Sequence, residues 1–232
     1  MRTSPRIATE RSGLERGPGA FVVAAAIAAV SVGTSCTLDP VHDKTVSNLG
    51  PENASLYPVE SQYHRPGEPC AVCHSSDGPA TTEFALAGTV FWGPDDYDAR
   101  VDNAYVSILD ANKTRRCFVT NCSGNFFVKK ADWTTLKFPV LLAVERTIKP
   151  GQGNEHTLKY RAMGGHIGRE SSCGTCHLQD PQHQSVRDFG SPGWIHLYDT
   201  QAEANAQKGP AVTCPPPPEY VQVQTCPGYD SP

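Results

Sequence analysis

Residues 84–92, Phe84-Ala85-Leu86-Ala87-Gly88-Thr89-Val90-Phe91-Trp92, open the part of the chain whose reading decides the fold. They form a β-prone run. Similar runs follow at residues 104–109 (AYVSIL), 117–120, 125–128 and 140–144 (VLLAV), with turn residues between them. In 104–109 the alternation places Ala104, Val106 and Ile108 on one inward face. Residues 157–160 add an edge strand after the Gly151-Gln152-Gly153-Asn154 turn. Short strands at this spacing predict a mainly β chain built on a small sandwich over residues 84–162. Twenty Pro, twenty Gly and few aromatics agree with strands and loops rather than a helical bundle.

Ala87-Gly88-Thr89-Val90, then Ala104-Tyr105-Val106-Ser107-Ile108, then Thr120-Asn121-Cys122-Ser123-Gly124-Asn125-Phe126-Phe127 resemble the carboxypeptidase regulatory-like family. That resemblance implies a transthyretin-like β-sandwich and says little about function. Cys117 and Cys122 are additions to the family's pattern, and a local disulfide between them is the expectation.

Outward from this block, a pentapeptide occurs on either side. Cys70-Ala71-Val72-Cys73-His74 precedes it and Cys173-Gly174-Thr175-Cys176-His177 follows it. Composition alone would produce one such C-x-x-C-H by chance with a frequency of roughly one in a hundred, and two copies far more rarely. Two thiols three positions apart can each form a thioether to a haem vinyl group, and the adjacent His then becomes the proximal iron ligand. The pair resembles the attachment signature of c-type cytochromes. It implies two covalent c-type haems held by Cys70, Cys73 and His74, and by Cys173, Cys176 and His177. The competing reading is zinc, for which the same six side chains are candidate ligands.

The sixth iron position separates electron transfer from ligand chemistry. His64 lies six residues before Cys70, and His166 seven before Cys173. That repeated offset makes them the candidate distal ligands, with Met163 and His196 in reserve. Electron relay without substrate chemistry is the function expected. A peroxidase-like enzyme or gas sensor with one open iron is the first alternative, and a haem-bearing surface binding module the second. Asp95, Asp96 and Asp98 read as solvated loop charge rather than a calcium site.

The ends of the chain give its address. Arg2, Arg6, Arg11 and Arg16 precede an apolar run over residues 20–32, which reads as a signal peptide spanning 1–35. Gly33-Thr34-Ser35-Cys36 resembles a bacterial lipobox. Of nine Cys, four serve the motifs and four more, Cys117, Cys122, Cys214 and Cys226, can form two disulfides, leaving Cys36 for lipidation. The preferred pairing of the last two is Cys214 with Cys226, out of three possible connectivities. An acyl anchor rather than a transmembrane helix then joins a periplasmic or outer-membrane lipoprotein to the membrane. Residues 37–60 read as a flexible tether, 61–83 as the first haem segment, 163–187 as the second, and 188–232 as a Pro-rich extension. Formal net charge is −4, and removing residues 1–35 takes away four Arg and two Glu, leaving −6. That gives no footprint for nucleic acid. Redox proteins, including other multihaem cytochromes, are the partners expected.

Overall fold

The computed structural model describes residues 40–52, 61–147, 158–177, 191–209, 212–214 and 226. The signal peptide, Cys36, His156 and His183 lie outside them. The chain divides into two compact units, Met1–Asp43 and Lys44–Pro232. Of the first, only residues 40–43 are described, and they belong to the opening of helix α1, Pro40–Asn48. A helix here departs from the irregular tether expected for 37–60. Pro40 sits at its first position, where a missing N–H costs nothing, and Asp43 lies in its first turn. The helix buries no side chain.

The second unit is mainly β, as expected, with seven strands in two sheets among the described residues. They are β1 Phe84–Phe91, β2 Tyr105–Leu109, β3 Arg115–Val119, β4 Asn125–Lys129, β5 Leu141–Thr147, β6 Leu158–Ala162 and β7 Ile195–His196. One sheet has the order β4-β1-β7 and the other β3-β2-β5-β6. Leu86, Val90, Phe126 and Val128 from the first sheet meet Val106, Ile108, Phe118, Leu142 and Val144 from the second in one core. Ala104, Val106 and Ile108 are all completely buried, on the face the alternation assigned to them.

The residues that carry the family-like pattern have local jobs. The Thr120 hydroxyl accepts from the Ala104 amide (2.9 Å) and donates to the Val101 carbonyl (2.6 Å), so it clamps the crossing between sheets. The Asn121 side chain then accepts from Ser123 and Asn125 amides, and Gly124 takes a φ of +75°. A side chain at Gly124 would meet the Val90 carbonyl at 2.6 Å, so only glycine closes this corner.

Two features differ from the sequence expectation. β7 was not foreseen: it pairs parallel with β1, Val90 opposite Ile195 and Phe91 opposite His196. Helix α3, Gln201–Gln207, follows it, capped by the Thr200 hydroxyl and packed through buried Ala204 against Gly93. The segment after residue 188 is therefore part of the sandwich where it is described. The second difference is disulfide pairing. Cys117 bonds Cys226 and Cys122 bonds Cys214, not the local pairs expected. Cys117 is buried on β3, within the sheet, and Cys122 is on the corner that leaves it. The bridges fasten Cys226 to β3 and Cys214 to the corner that follows it, across sequence separations of 109 and 92. Two disulfides belong to an oxidising, extracytoplasmic compartment. No helix among the described residues is long and apolar enough to cross a membrane.

One charge is poorly housed. Glu145 is 2% exposed, flanked in register by Tyr105 on β2 and Tyr160 on β6, and its Oε2 has no hydrogen-bond partner. Burial raises its pKa, against a smaller opposing pull from Arg115. A carboxyl whose folded pKa is raised contributes stability below its unfolded pKa and loses it as pH rises through the folded value. Glu145→Gln is therefore expected to match wild type near pH 4 and to be more stable by about 1 kcal/mol at neutral pH. Denaturant titrations across that range check this; an advantage that shrinks as pH rises would contradict it.

Candidate functional site

Both C-x-x-C-H motifs fold into a single helical turn. Cys70–Val72 is a 3₁₀ turn and Cys173–Cys176 is the short helix α2. In each, the His amide donates back to the carbonyl of the first Cys, His74 to Cys70 at 2.9 Å and His177 to Cys173 at 2.8 Å. One helical turn sets the two Cys of each motif close together, with the His directly after them.

Strand β1 holds both turns. The Phe84 amide donates to the His74 carbonyl (2.9 Å), and the Ala87 amide donates to the Ser171 carbonyl (2.9 Å), two residues before Cys173. The motifs also touch each other. A Cβ placed on Gly174 would lie 2.6 Å from the Glu68 carbonyl oxygen and 2.9 Å from the Pro69 nitrogen. A Cβ on Gly88 would lie 2.9 Å from the Cys173 sulfur. Residues a hundred positions apart in sequence thus pack backbone to backbone, and glycine is what permits it. Burial pushes the Cys70 and Cys173 thiols up to about 12, and raises Cys73 as well.

Each turn borders its own cavity. The first, about 300 Å³, is lined by Cys70, Cys73, His74, His64, Phe84 and Phe127 among others. The second, about 330 Å³ and more apolar, is lined by Cys173, His177, Trp194, His196, Met163 and Leu142 among others. Both fall in the range of small-molecule and cofactor sites, roughly 300–1,000 Å³. Phe126 borders both.

The histidines are set in a shared way. His74 Nδ1 lies 2.8 Å from the Thr82 carbonyl, and His177 Nδ1 lies 2.7 Å from the Gly193 carbonyl. A carbonyl can only accept, so in both rings Nδ1 is the donor, which in the neutral imidazole leaves the lone pair on Nε2. This is the arrangement in which a protein orients an imidazole toward a metal.

His64 reaches the first cavity from a loop fastened at several points. Asn121 donates to the Gln62 carbonyl (2.8 Å), Asn125 to the His64 carbonyl (3.0 Å), and the Gly67 amide to the Thr89 hydroxyl (2.7 Å). Arg65, with a φ of +47°, pairs with Glu68 at 2.7 Å. The His64 ring centroid stands 5.8 Å from that of His74 with 19° between planes, and Phe84 stacks on His74 at 4.0 Å. His64 Nδ1 is buried without a hydrogen-bond partner. Burial lowers the pKa of this ring, which keeps it neutral.

The other candidates divide. Met163 and His196 line the second cavity, whereas His166 is exposed and lines neither. Cys176 is also exposed, one turn beyond buried Cys173. The acidic loop is occupied by ion pairs, Asp96 with Lys208 at 3.0 Å and Asp98 with Arg100 at 2.9 Å.

These residues fit haem c. The first cavity offers both thiols of its turn and the second offers Cys173, with Cys176 exposed beside it; each has an imidazole whose Nδ1 meets a backbone carbonyl and apolar walls, and the first adds an orphaned buried nitrogen. They fit zinc less well, since among the described residues no three His, Cys, Asp or Glu side chains converge on a point that would hold a bare ion. No family model, curated protein or solved structure matches the chain.

The contact between the motifs yields a test that needs no cofactor. Gly174→Val must displace the Glu68–Pro69 backbone and is expected to cost about 1–3 kcal/mol, while Gly164→Val, in open space, should cost little. Thermal unfolding of both variants checks this; equal melting temperatures would contradict the contact.

Proposed function

We propose that the chain is an exported dihaem c-type cytochrome that relays electrons between redox partners outside the cytoplasm. One observation carries the reading: the His of each C-x-x-C-H turn donates its Nδ1 proton to a backbone carbonyl and lines a cavity together with thiol from its own motif. When bound, haem supplies a one-electron iron couple.

The rest is the work of this chain's residues. Cys70 with Cys73, and Cys173 with Cys176, are the thioether donors, and His74 and His177 the proximal ligands. His64 is the distal ligand of the first centre, because an unpartnered buried imidazole nitrogen is costly unless something engages the ring. Phe84, Phe126, Phe127 and Trp194 exclude water from the two cavities. The close approach of Gly174 in the second motif to Glu68 and Pro69, which lead into the first, favours passage of an electron from one centre to the other within the chain. The two disulfides support an extracytoplasmic address, and periplasmic or outer-membrane residence with an acyl group on Cys36 is the form this takes.

Expression in a host that matures c-type cytochromes tests the reading. The wild type is expected to give a haem-stained band that survives boiling in detergent, with a mass increment of two haems. Cys70→Ala/Cys73→Ala and Cys173→Ala/Cys176→Ala should each halve the haem per chain. A colourless wild type, or full haem content after loss of either pair, would contradict it.

A further inference from the structure

β7 is two residues long, and it places an imidazole where the offset between motif and preceding His did not point. We infer that His196 is the axial ligand opposite His177 at the second centre, in place of His166. This rests on the haem reading above and goes beyond it by assigning a side chain to that position.

Among the described residues, His177 and His196 are the histidines that line the second cavity. They come from different directions, His177 from the end of α2 and His196 from the strand on the flank of β1. The position of His196 is tightly held. It lies opposite Phe91 in register, and the next two amides donate to β1, Leu197 to the Phe91 carbonyl and Tyr198 to the Trp92 carbonyl, both at 3.0 Å. Leu197 is completely buried and Tyr198 nearly so. β1 is the strand that pins both motif turns, so His196 and His177 are referenced to the same piece of backbone.

The ring is also fixed in orientation. His196 Nδ1 lies 2.7 Å from the Tyr198 carbonyl, to which it donates in the tautomer that leaves the lone pair on Nε2. Arg161 Nη1 stands 2.9 Å from the same nitrogen and donates to it in the other tautomer, with Asp199 Oδ1 pairing the guanidinium at 2.9 Å. Binding iron through Nε2 selects the first tautomer, in which His74, His177 and His196 each give an Nδ1 proton to a main-chain oxygen.

His166 is excluded by alternation. Ile167 exchanges two hydrogen bonds with Val140 (2.8 and 3.0 Å) and packs on the core. Neighbours on an extended segment face opposite ways, so with Ile167 inward His166 is turned to solvent. Bringing His166 into the cavity would break that bridge and expose Ile167. Met163 borders the cavity, tied by its amide to the Leu142 carbonyl at 2.9 Å. Its thioether sits on a flexible chain with nothing to preset it, whereas the imidazole is already oriented. With His64 at the first centre, both irons would then carry two nitrogen ligands, the arrangement suited to electron transfer and closed to exogenous gases.

The test uses matured full-length protein whose haem content has first been verified by intact mass. Wild type should bind no carbon monoxide in the reduced state. His196→Ala should keep both haems yet bind one carbon monoxide per chain, with high-spin absorbance that added imidazole reverses. His166→Ala and Met163→Leu should behave as wild type. Near-infrared magnetic circular dichroism of the unaltered protein, which depends on no variant folding, should show nitrogen–nitrogen ligation at both irons and no thioether signal. A two-haem His196→Ala protein that stays low-spin and refuses carbon monoxide would overturn the assignment, as would a thioether signal in the wild type. A wild type lacking haem would overturn this inference together with the reading it rests on.

Discussion

The structure depends on the hydrogen bonding of one strand. β1 has β4 antiparallel on one side and β7 parallel on the other, and its Phe84 and Ala87 amides go to the two motif segments. Backbone groups removed from water need partners, so a central strand dictates what lies beside it. Here it dictates that the segments ending at His74 and beginning at Ser171 approach within one strand's length of each other. Leu86 and Val90 anchor the strand in the core, while Phe91, stacked on Trp194 at 4.7 Å, covers its other face. Displacing β1 would disturb the core and both cavities together.

The two centres are alike in construction and different in surroundings. Each has a helical turn, an imidazole fixed through a main-chain oxygen, and aromatic walls. The first lies beside the outer end of the β1–β4 pair, where Arg65, Glu68 and Lys129 border it. The second opens between β5, β6 and β7 and is the more apolar, with Arg161 as its charged neighbour. A cation beside a buried redox centre favours the more negative, reduced state less than it would in contact, but far more than in water. Under the haem reading proposed above, these different charged neighbours would let the two sites hold different potentials although their turns are nearly the same.

The middle of the chain was legible because period-two alternation at Ala104, Val106 and Ile108, broken by turn residues, is a local property. The motif Cys and His stand out in the sequence because haem attachment, the chemistry proposed for them, needs fixed spacing. What escaped was set by long-range geometry. β7 has two residues and a parallel partner more than a hundred positions away, too little pattern to register. The disulfides join Cys117 to Cys226 and Cys122 to Cys214 because the chain end returns to the sheet, and nothing near those cysteines in sequence announces it. The similar offsets of His64 and His166 had different fates for the same reason. The loop at His64 is clamped over its cavity by Asn121 and Asn125, while His166 shares an extended segment with a core residue and faces away.

Anomalous diffraction at the iron absorption edge, from crystals of the matured protein, bears most directly on the claim that β1 presents two iron-binding imidazoles. Two iron peaks are predicted, one within bonding distance of His74 Nε2 and the other of His177 Nε2. A single peak shared by the motif cysteines and strongest at the zinc edge, or iron bound elsewhere with both Nε2 atoms bare, would contradict the account.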